Sequence, residues 1–206
     1  MHGDADIEGD GPGFGSPEEL EQRLSLVRPG DMARGFIFNA VLETVRDEAD
    51  AEALRRCREA AGVESFLHFF NYPVHSMLRL FYTASWELSG KYGGFEAAMR
   101  QLGARTAPDF LQSAVGRMLL GLANMNLKRL LSSIPVAYPT VYAHGTCSLE
   151  WTGPRNCRLI LSGNLLPAPF IEAAMARVLG AVHPAGVTVR AQRVGPRDNV
   201  VDFSWD

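Results

Sequence analysis

The sequence lacks the features that mark membrane-spanning and secreted proteins. No apolar run approaches the roughly 18 residues that a transmembrane helix needs, so we expect no membrane span. The N-terminus has neither the basic segment nor the apolar segment of a secretory signal. The three cysteines, an odd number without a Cys-x-x-Cys motif, are typical of a reducing compartment. Together these absences predict a cytoplasmic protein.

Basic residues do not dominate the composition. The chain has 20 Lys and Arg against 23 Asp and Glu, which gives a net charge of −3. Residues 1–22 contain seven acidic residues and no Lys or Arg. Proteins that bind the nucleic-acid backbone carry a dense basic face, so this composition predicts no nucleic-acid partner. With 47% apolar residues, a chain of 206 residues can bury a core without disulfides or metals.

The motifs of several common enzyme classes are absent. The sequence contains no Gly-x-Ser-x-Gly, no His-Glu-x-x-His, no phosphate-binding loop and no dinucleotide-binding fingerprint. The nearest approach to a metal set is His144, Cys147 and Cys157. On a predicted hairpin Cys147 faces Ser162, so the sulfurs lie about five residues apart at roughly 3.3 Å per residue. That separation is too large for one metal ion or a disulfide. We therefore expect no enzyme activity, no metal and no cofactor.

Cys57 is the cysteine with a basic neighbourhood, because Arg55, Arg56 and Arg58 surround it in the sequence. Nearby cations lower the pKa of a thiol and make it reactive, which would make Cys57 a candidate reactive site. The alternative, which we favour, is an unreactive thiol on the flank of a helix, near arginines that are solvated.

The chain is predicted to form a tail followed by one domain. Residues 1–15 are rich in Gly and Asp and have few apolar side chains, which predicts a disordered tail. Ser16, Pro17 and Glu19 provide an N-cap, a first-turn proline and a capping box. Residues 16–206 are therefore predicted to form a single domain. Its helical part is predicted at 16–135 and its sheet part at 136–206.

Apolar side chains recur at helical spacing through the first part of the domain. With the positions of Gly, Pro and capping residues, this period predicts helices at about 31–47, 50–61, 73–89, 95–102, 107–122 and 126–132. The helix that begins at Pro73 is the best defined, since Val74, Met77, Leu78 and Phe81 fall on one face.

Past Pro135 the apolar period changes to two, which is typical of strands. The alternation predicts a strand at 140–143, a hairpin that turns at 153–156, a helix at about 168–181, and strands at 187–194 and 200–205. We therefore predict an α+β fold in which a helical N-terminal half precedes an antiparallel β-β-α-β-β sheet, with every strand after residue 136. Trp151 and Trp205 are expected to anchor its core.

Several short motifs resemble an uncharacterised family of myxobacterial proteins, defined as a domain of unknown function. The resemblance covers about residues 18–206 and implies no activity. Its motifs are Arg34-Gly35-Phe36-Ile37-Phe38-Asn39, Phe69-Phe70-Asn71-Tyr72-Pro73, Tyr92-Gly93-Gly94-Phe95-Glu96 and Glu150-Trp151-Thr152-Gly153-Pro154.

The order of elements also resembles the haem-nitric-oxide-binding domain, whose fold is shared with the four-vinyl-reductase ligand domain and with subunits of TRAPP, the Golgi transport tether. This resemblance implies a sensory or scaffolding domain with an apolar cavity between helices and sheet. The haem-binding members hold iron through a histidine on the helix before the sheet, and hold the haem propionates through a Tyr-x-Ser-x-Arg motif. Here residues 124–131 contain no histidine and the strand motif is absent. We therefore expect the fold without its haem.

Three functional interpretations follow from these observations. The first is a non-catalytic regulatory or sensory module that binds a small apolar ligand in a pocket between helices and sheet. The second is a protein-interaction or tethering scaffold that acts as a homodimer, and the third is an enzyme. For any one candidate pocket residue, the alternative is that its side chain fills a solid core. The candidates are Phe36, Phe70, Met77, Phe81, Phe110, Met118, Leu122 and Phe170.

Overall fold

A computed structural model describes residues 12–183 and 186–206 and confirms the α+β class. Within these residues, no helix is long and apolar enough to cross a bilayer. The elements, in chain order, are α1 (Pro17–Ser25), β1 (Met32–Arg34), α2 (Gly35–Glu48), α3 (Ala51–Ala61), β2 (Asn71–Pro73), α4 (Val74–Tyr92), α5 (Phe95–Gln112), α6 (Ala114–Ala123), α7 (Leu127–Val141), β3 (Thr146–Gly153), β4 (Asn156–Ser162), α8 (Ala168–Gly180), β5 (Thr188–Gly195) and β6 (Asp198–Ser204).

The main sheet has four strands in the order β3-β4-β6-β5, and every neighbouring pair is antiparallel. Helix α8 connects its two hairpins, so the predicted β-β-α-β-β arrangement is confirmed. The predicted register of the first hairpin is wrong by one residue: Trp151 pairs with Cys157, and Cys147 pairs with Leu161. The irregularity between Trp151 and Gly153 accounts for the difference, because a bulge adds one residue to one strand only.

A second, two-stranded sheet pairs β1 with β2, which the sequence analysis did not predict. The expectation that every strand follows residue 136 is therefore wrong. Ala33 of β1 pairs with Tyr72 and also forms an isolated bridge with Tyr142, at the C-terminal end of α7. This small sheet brings the start of α2 beside the end of α7, and both of these helix ends line the cavity described below.

Helix α7 is twice as long as predicted and includes Thr140 and Val141, the first half of the strand predicted at 140–143. It passes through Pro135 and Pro139, although each proline removes a helical hydrogen bond. Its buried side chains include Ile134, Ala137 and Tyr138, so packing outweighs the local cost. Helix α5 likewise continues to Gln112 across the predicted break before residue 107.

Phe14 and Gly15, which precede the predicted domain boundary at residue 16, already pack against the domain. Residues 1–11 of the predicted tail lie outside the described residues. Phe14 packs edge-on against Phe95 with ring centroids 5.3 Å apart, and Trp86 Nε1 donates a 2.7 Å hydrogen bond to the Gly15 carbonyl. These contacts connect the end of the predicted tail to α4 and α5.

Trp151 and Trp205 contact each other at the margin of the sheet, where Trp205 packs against the core and Trp151 does not. Their rings meet edge-on with centroids 6.2 Å apart. Trp151 is 45% exposed, because β3 is an edge strand, and Trp205 is only partly buried. The expectation for Trp151 is therefore wrong. Phe203 and Val201 of β6, a central strand, are buried in the core instead.

Candidate ligand-binding site

A partly enclosed cavity of about 120 Å³ lies among helices α2, α5, α6, α7 and α8. Thirteen of its sixteen lining residues are apolar, and the three polar ones are Thr106, Tyr138 and Tyr142. None of the lining residues belongs to the main sheet, so the predicted position between helices and sheet is wrong. The cavity is enclosed by helices alone. Four of them precede the main sheet in the chain, and the fifth, α8, lies between its two hairpins.

Helices α5 and α8 form one wall and approach each other closely at Gly103. A Cβ atom at this position would lie 2.2 Å from the carbonyl oxygen of Phe170, so glycine permits the contact. The close approach fixes the start of α8 beside α5. Phe170 then packs between the cavity and the core, where its ring lies 4.6 Å from that of Phe81.

Three of the eight predicted pocket residues line the cavity, namely Phe36, Phe110 and Phe170. Phe36 and Phe110 lie on facing helices with ring centroids 6.3 Å apart and remain partly buried. Met77 and Phe81 are fully buried in the solid core and do not line it. This is the alternative that the sequence analysis kept open for each candidate.

The other three candidates, Phe70, Met118 and Leu122, are exposed. Phe70 lies in the connection before β2. Met118 and Leu122 lie on the outer side of α6, whereas Leu119 of the same helix is buried and lines the cavity. Helix α6 is apolar on both sides, so periodicity alone could not identify the side that faces inward.

The sequence analysis missed the largest contribution, which comes from α7. Its lining residues are Leu130, Ile134, Ala137, Tyr138 and Val141. They recur at helical spacing, and this signal was readable in the sequence. Pro135 and Pro139 interrupt the signal, because a proline inside a helix removes a hydrogen bond and usually ends the helix.

The polar side chains of the lining differ in how they are satisfied. Thr106 Oγ1 donates a 2.8 Å hydrogen bond to the Gly103 carbonyl within α5. The Tyr138 hydroxyl accepts a 3.0 Å hydrogen bond from Nδ2 of Asn164. The Tyr142 hydroxyl has no hydrogen-bond partner within the described chain. Burial raises the pKa of Tyr138 to about 12 and also raises that of Tyr142, so both are neutral phenols.

A buried polar cluster lies behind Tyr138. Asn164 Oδ1 accepts a 2.9 Å hydrogen bond from the Leu166 amide, and Asn199 Nδ2 donates to the Asn164 carbonyl at 3.1 Å. Nearby, Arg197 Nη2 donates to Asp31 Oδ2 at 2.7 Å. The two bonds of Asn164 and Asn199 hold the connection between β4 and α8 and join it to the start of β6.

His144, Cys147 and Cys157, the nearest approach to a metal set in the sequence, are each partly or fully buried. His144 Nδ1 donates a 2.8 Å hydrogen bond to the Met32 carbonyl, and burial lowers its pKa. Burial raises the pKa of the Cys147 thiol to about 12 and that of Cys157 to about 11. The described residues contain no group of three or more His, Cys, Asp or Glu side chains that could hold a metal ion.

The possibility that Cys57 is reactive is contradicted. Its side chain is fully buried, and this burial raises the thiol pKa to about 12. The neighbouring arginines are engaged elsewhere: Arg56 Nε donates to Glu87 at 2.6 Å, and Arg55 pairs with Glu52 and Glu59. Cys57 is therefore a core thiol, more deeply buried than the helix-flank position that we favoured.

Comparison with known proteins places the chain in a family and in a fold. A family model described as a protein of unknown function (DUF2378) matches residues 26–206. A comparison with curated proteins finds no significant match.

Solved structures of H-NOX (haem-nitric-oxide-binding) proteins share the fold. The Fe(II) unliganded protein from K. algicida matches with a TM-score of 0.66 at 12% identity, over 84% of this chain and 96% of that chain. The S. oneidensis protein in the Fe(II)NO state matches with a TM-score of 0.62 at 8% identity, over 84% and 99%. The Shewanella woodyi protein in the Fe(II)CO state matches with a TM-score of 0.59 at 16% identity, over 84% and 94%. The predicted haem-nitric-oxide-binding fold is confirmed.

Proposed function

This chain belongs to the DUF2378 family, and we propose that it is a non-catalytic sensory module that holds a small apolar ligand in its helical cavity. The observation that carries this proposal is the apolar lining of a cavity of about 120 Å³. An engineered apolar cavity of about 150 Å³ in another protein stays dry and binds benzene or xenon. A molecule on the scale of benzene therefore matches the space that these helices enclose.

The residues of the cavity do not fit a haem, the group that the shared fold implies. The lining contains no histidine, cysteine, lysine or arginine, so it offers neither an imidazole or thiolate for iron nor a cation for the propionates. Its two phenols are held neutral by burial. The volume is also below the roughly 300–1,000 Å³ of pockets for drug-sized ligands. We expect haem added to the purified protein to give no stoichiometric, sharp Soret band.

The chemistry around the cavity supports a binding role without catalysis. The lining side chains supply no acid, base or nucleophile that is ionised near neutral pH, because the two phenols keep their protons. A sensory role in addition requires that binding favour one conformation over another. The element best suited to such a response is α6, since Leu119 lines the cavity. Among the described residues, the main packing partners of α6 are its neighbours α5 and α7, so few other elements hold it in place.

Binding of benzene, measured by isothermal titration calorimetry, tests the proposal. We expect the wild-type protein to bind benzene and the variant Ala137→Leu to lose binding, because the larger side chain occupies the cavity. The same replacement at Ala51, an exposed position of α3, serves as the matched control and should leave binding unchanged. Absence of benzene binding by the wild-type protein would contradict the proposal, as would equal binding by Ala137→Leu.

The outer side of α6 favours a second candidate function, a scaffold that acts as a homodimer. Met118, Leu122 and Met125 are 48%, 60% and 67% exposed, and their spacing places them along one side of the helix and its C-terminal end. Contiguous exposed apolar side chains of this kind are typical of protein interaction sites. In this second proposal, the stripe formed by these three residues packs against the same stripe of another copy.

Native mass spectrometry over a range of protein concentrations tests the second candidate. We expect a dimer of the wild-type protein and a monomer of Leu122→Glu, because a buried carboxylate would oppose the contact. Val194→Glu introduces the same charge at an exposed position of β5 and should leave the dimer intact. A wild-type protein that stays monomeric at every concentration would contradict this candidate and leave the ligand proposal unaffected.

A further inference from the structure

One polar group of the cavity lining lacks a partner. Tyr142 lies at the C-terminal end of α7, and its ring lies 5.3 Å from that of Tyr138 and 5.9 Å from that of His144. The donors of Thr106 and His144 are used by backbone carbonyls, and the Tyr138 oxygen is bound by Asn164. The hydroxyl of Tyr142 makes no hydrogen bond to any residue that the structure describes.

Tyr142 is partly buried, and a tyrosine hydroxyl that makes no hydrogen bond to the described chain is available to bind another molecule. Since Tyr142 lines the cavity, a molecule held there is positioned to supply that partner. A neutral phenol can both donate and accept one hydrogen bond, so it can bind an alcohol, a phenol or a carbonyl group.

The rest of the lining limits the kind of molecule. No side chain of the lining carries a charge, so a charged ligand would lose its hydration without an ionic partner. Phe36, Phe110 and Phe170 provide aromatic surface on separate helices. The cavity therefore suits a ring-sized apolar body with very little polar surface.

From these observations we infer that the ligand is a small aromatic or alicyclic molecule with a single uncharged hydrogen-bonding group, and that the Tyr142 hydroxyl binds that group. This inference rests on the proposed function, since it identifies the ligand class of the same cavity. It makes Tyr142 the residue that determines specificity and leaves the apolar helices to supply affinity.

Phenol and toluene are suitable probes, because they are close in size and differ in one hydroxyl group. Their affinities are measured by calorimetry for the wild-type protein, for Tyr142→Phe and for Tyr138→Phe. We expect Tyr142→Phe to weaken phenol binding about three- to tenfold, the range that corresponds to one hydrogen bond, and to change toluene binding less than about twofold. Tyr138→Phe is the matched control, because its hydroxyl already binds Asn164, and should affect both probes alike.

The outcomes separate this inference from the proposal beneath it. If both probes bind the wild-type protein and Tyr142→Phe weakens them equally, the inference is overturned and the ligand cavity stands. If neither probe binds the wild-type protein, both are overturned. Should Tyr142→Phe fail to fold, nuclear Overhauser effects between bound phenol and the Tyr142 ring of the wild-type protein decide the point. Their presence supports the contact, and their absence for phenol that is bound overturns it.

Discussion

The hydroxyl of Tyr138 accepts a hydrogen bond from Nδ2 of Asn164, across 26 positions of the chain. Tyr138 contributes to the cavity wall, whereas Asn164 is a buried residue between β4 and α8. This bond therefore joins the helix before the sheet to the connection that leads into α8. The wall of the cavity is held in place by a polar contact as well as by apolar packing.

We predict that Asn164→Ala destabilises the protein by about 3 kcal/mol, because several buried donors and acceptors lose their partners together. Besides Tyr138, these include the Leu166 amide and the side chain of Asn199. Urea unfolding measures the change. Ser148→Ala, at an exposed position of β3, should change stability by less than about 0.5 kcal/mol. A change of similar size in both variants would contradict this account of the Asn164 cluster.

The buried ion pair of Glu19 and Arg23 leads to a second prediction. Glu19 also accepts a hydrogen bond from the Tyr82 hydroxyl, and Arg23 Nη1 donates to the Leu165 carbonyl at 3.1 Å. We expect Glu19→Leu to cost about 3–5 kcal/mol, because it leaves a buried cation without its partner. Replacing both Glu19 and Arg23 by Leu should restore part of that loss. A double variant less stable than Glu19→Leu would contradict this.

His144 is predicted to make stability depend on pH. Burial lowers its pKa in the folded protein, although Asp31 and the bond to the Met32 carbonyl oppose the shift. The unfolded chain therefore binds a proton more readily, at an ordinary pKa of about 6.5. The stabilisation is complete above that pH and is lost as pH falls through the lower pKa of the folded state.

Urea unfolding between pH 7.5 and 5 should show a smaller loss of stability on acidification for His144→Asn than for the wild-type protein. Asparagine retains a donor for the Met32 carbonyl and does not titrate. His75→Asn, at an exposed position, controls for the removal of one histidine. Parallel pH profiles for the wild-type protein and His144→Asn would exclude His144 as the source.

The exposure of Trp151 predicts unequal costs for two aromatic replacements in the sheet. Phe203 is 2% exposed on a central strand, so Phe203→Ala should cost about 3–5 kcal/mol. Trp151 lies on the edge strand and loses only part of its burial, so Trp151→Ala should cost about 1–2 kcal/mol. Thermal and urea unfolding check both values. Equal costs would mean that Trp151 is as well packed as the core.

The long elements were predictable because local signals agreed with the final packing. Helix α4 has an uninterrupted apolar face from Val74 to Leu88, and α8 follows Pro167 directly. The alternation along β4 and β6 reflects one buried face on each strand. The order of these elements predicted the α+β class, and the fold beyond that class came from a resemblance to the haem-nitric-oxide-binding domain.

The structural features that the sequence did not predict depend on contacts between distant segments. Strands β1 and β2 have three residues each, too few for a period to be seen, and they form because Ala33 meets both Tyr72 and Tyr142. In the sequence, the prolines of α7 indicate a break that its apolar periodicity does not offset. In the fold, packing of its buried side chains keeps the helix continuous through both prolines. The cavity was only partly predicted, since which apolar residue faces space and which fills the core is decided by tertiary packing, as Phe170 and Phe81 illustrate.

The most direct test of a ligand cavity among these helices is diffraction from crystals of this protein held under xenon pressure. Xenon occupies small apolar cavities and is located by its anomalous scattering. We predict a xenon site within van der Waals distance of Phe36, Phe110 and Phe170, and its loss in Ala137→Leu crystals. Xenon bound elsewhere, with no density among these three rings, would contradict the claim that the cavity is open to a small apolar ligand.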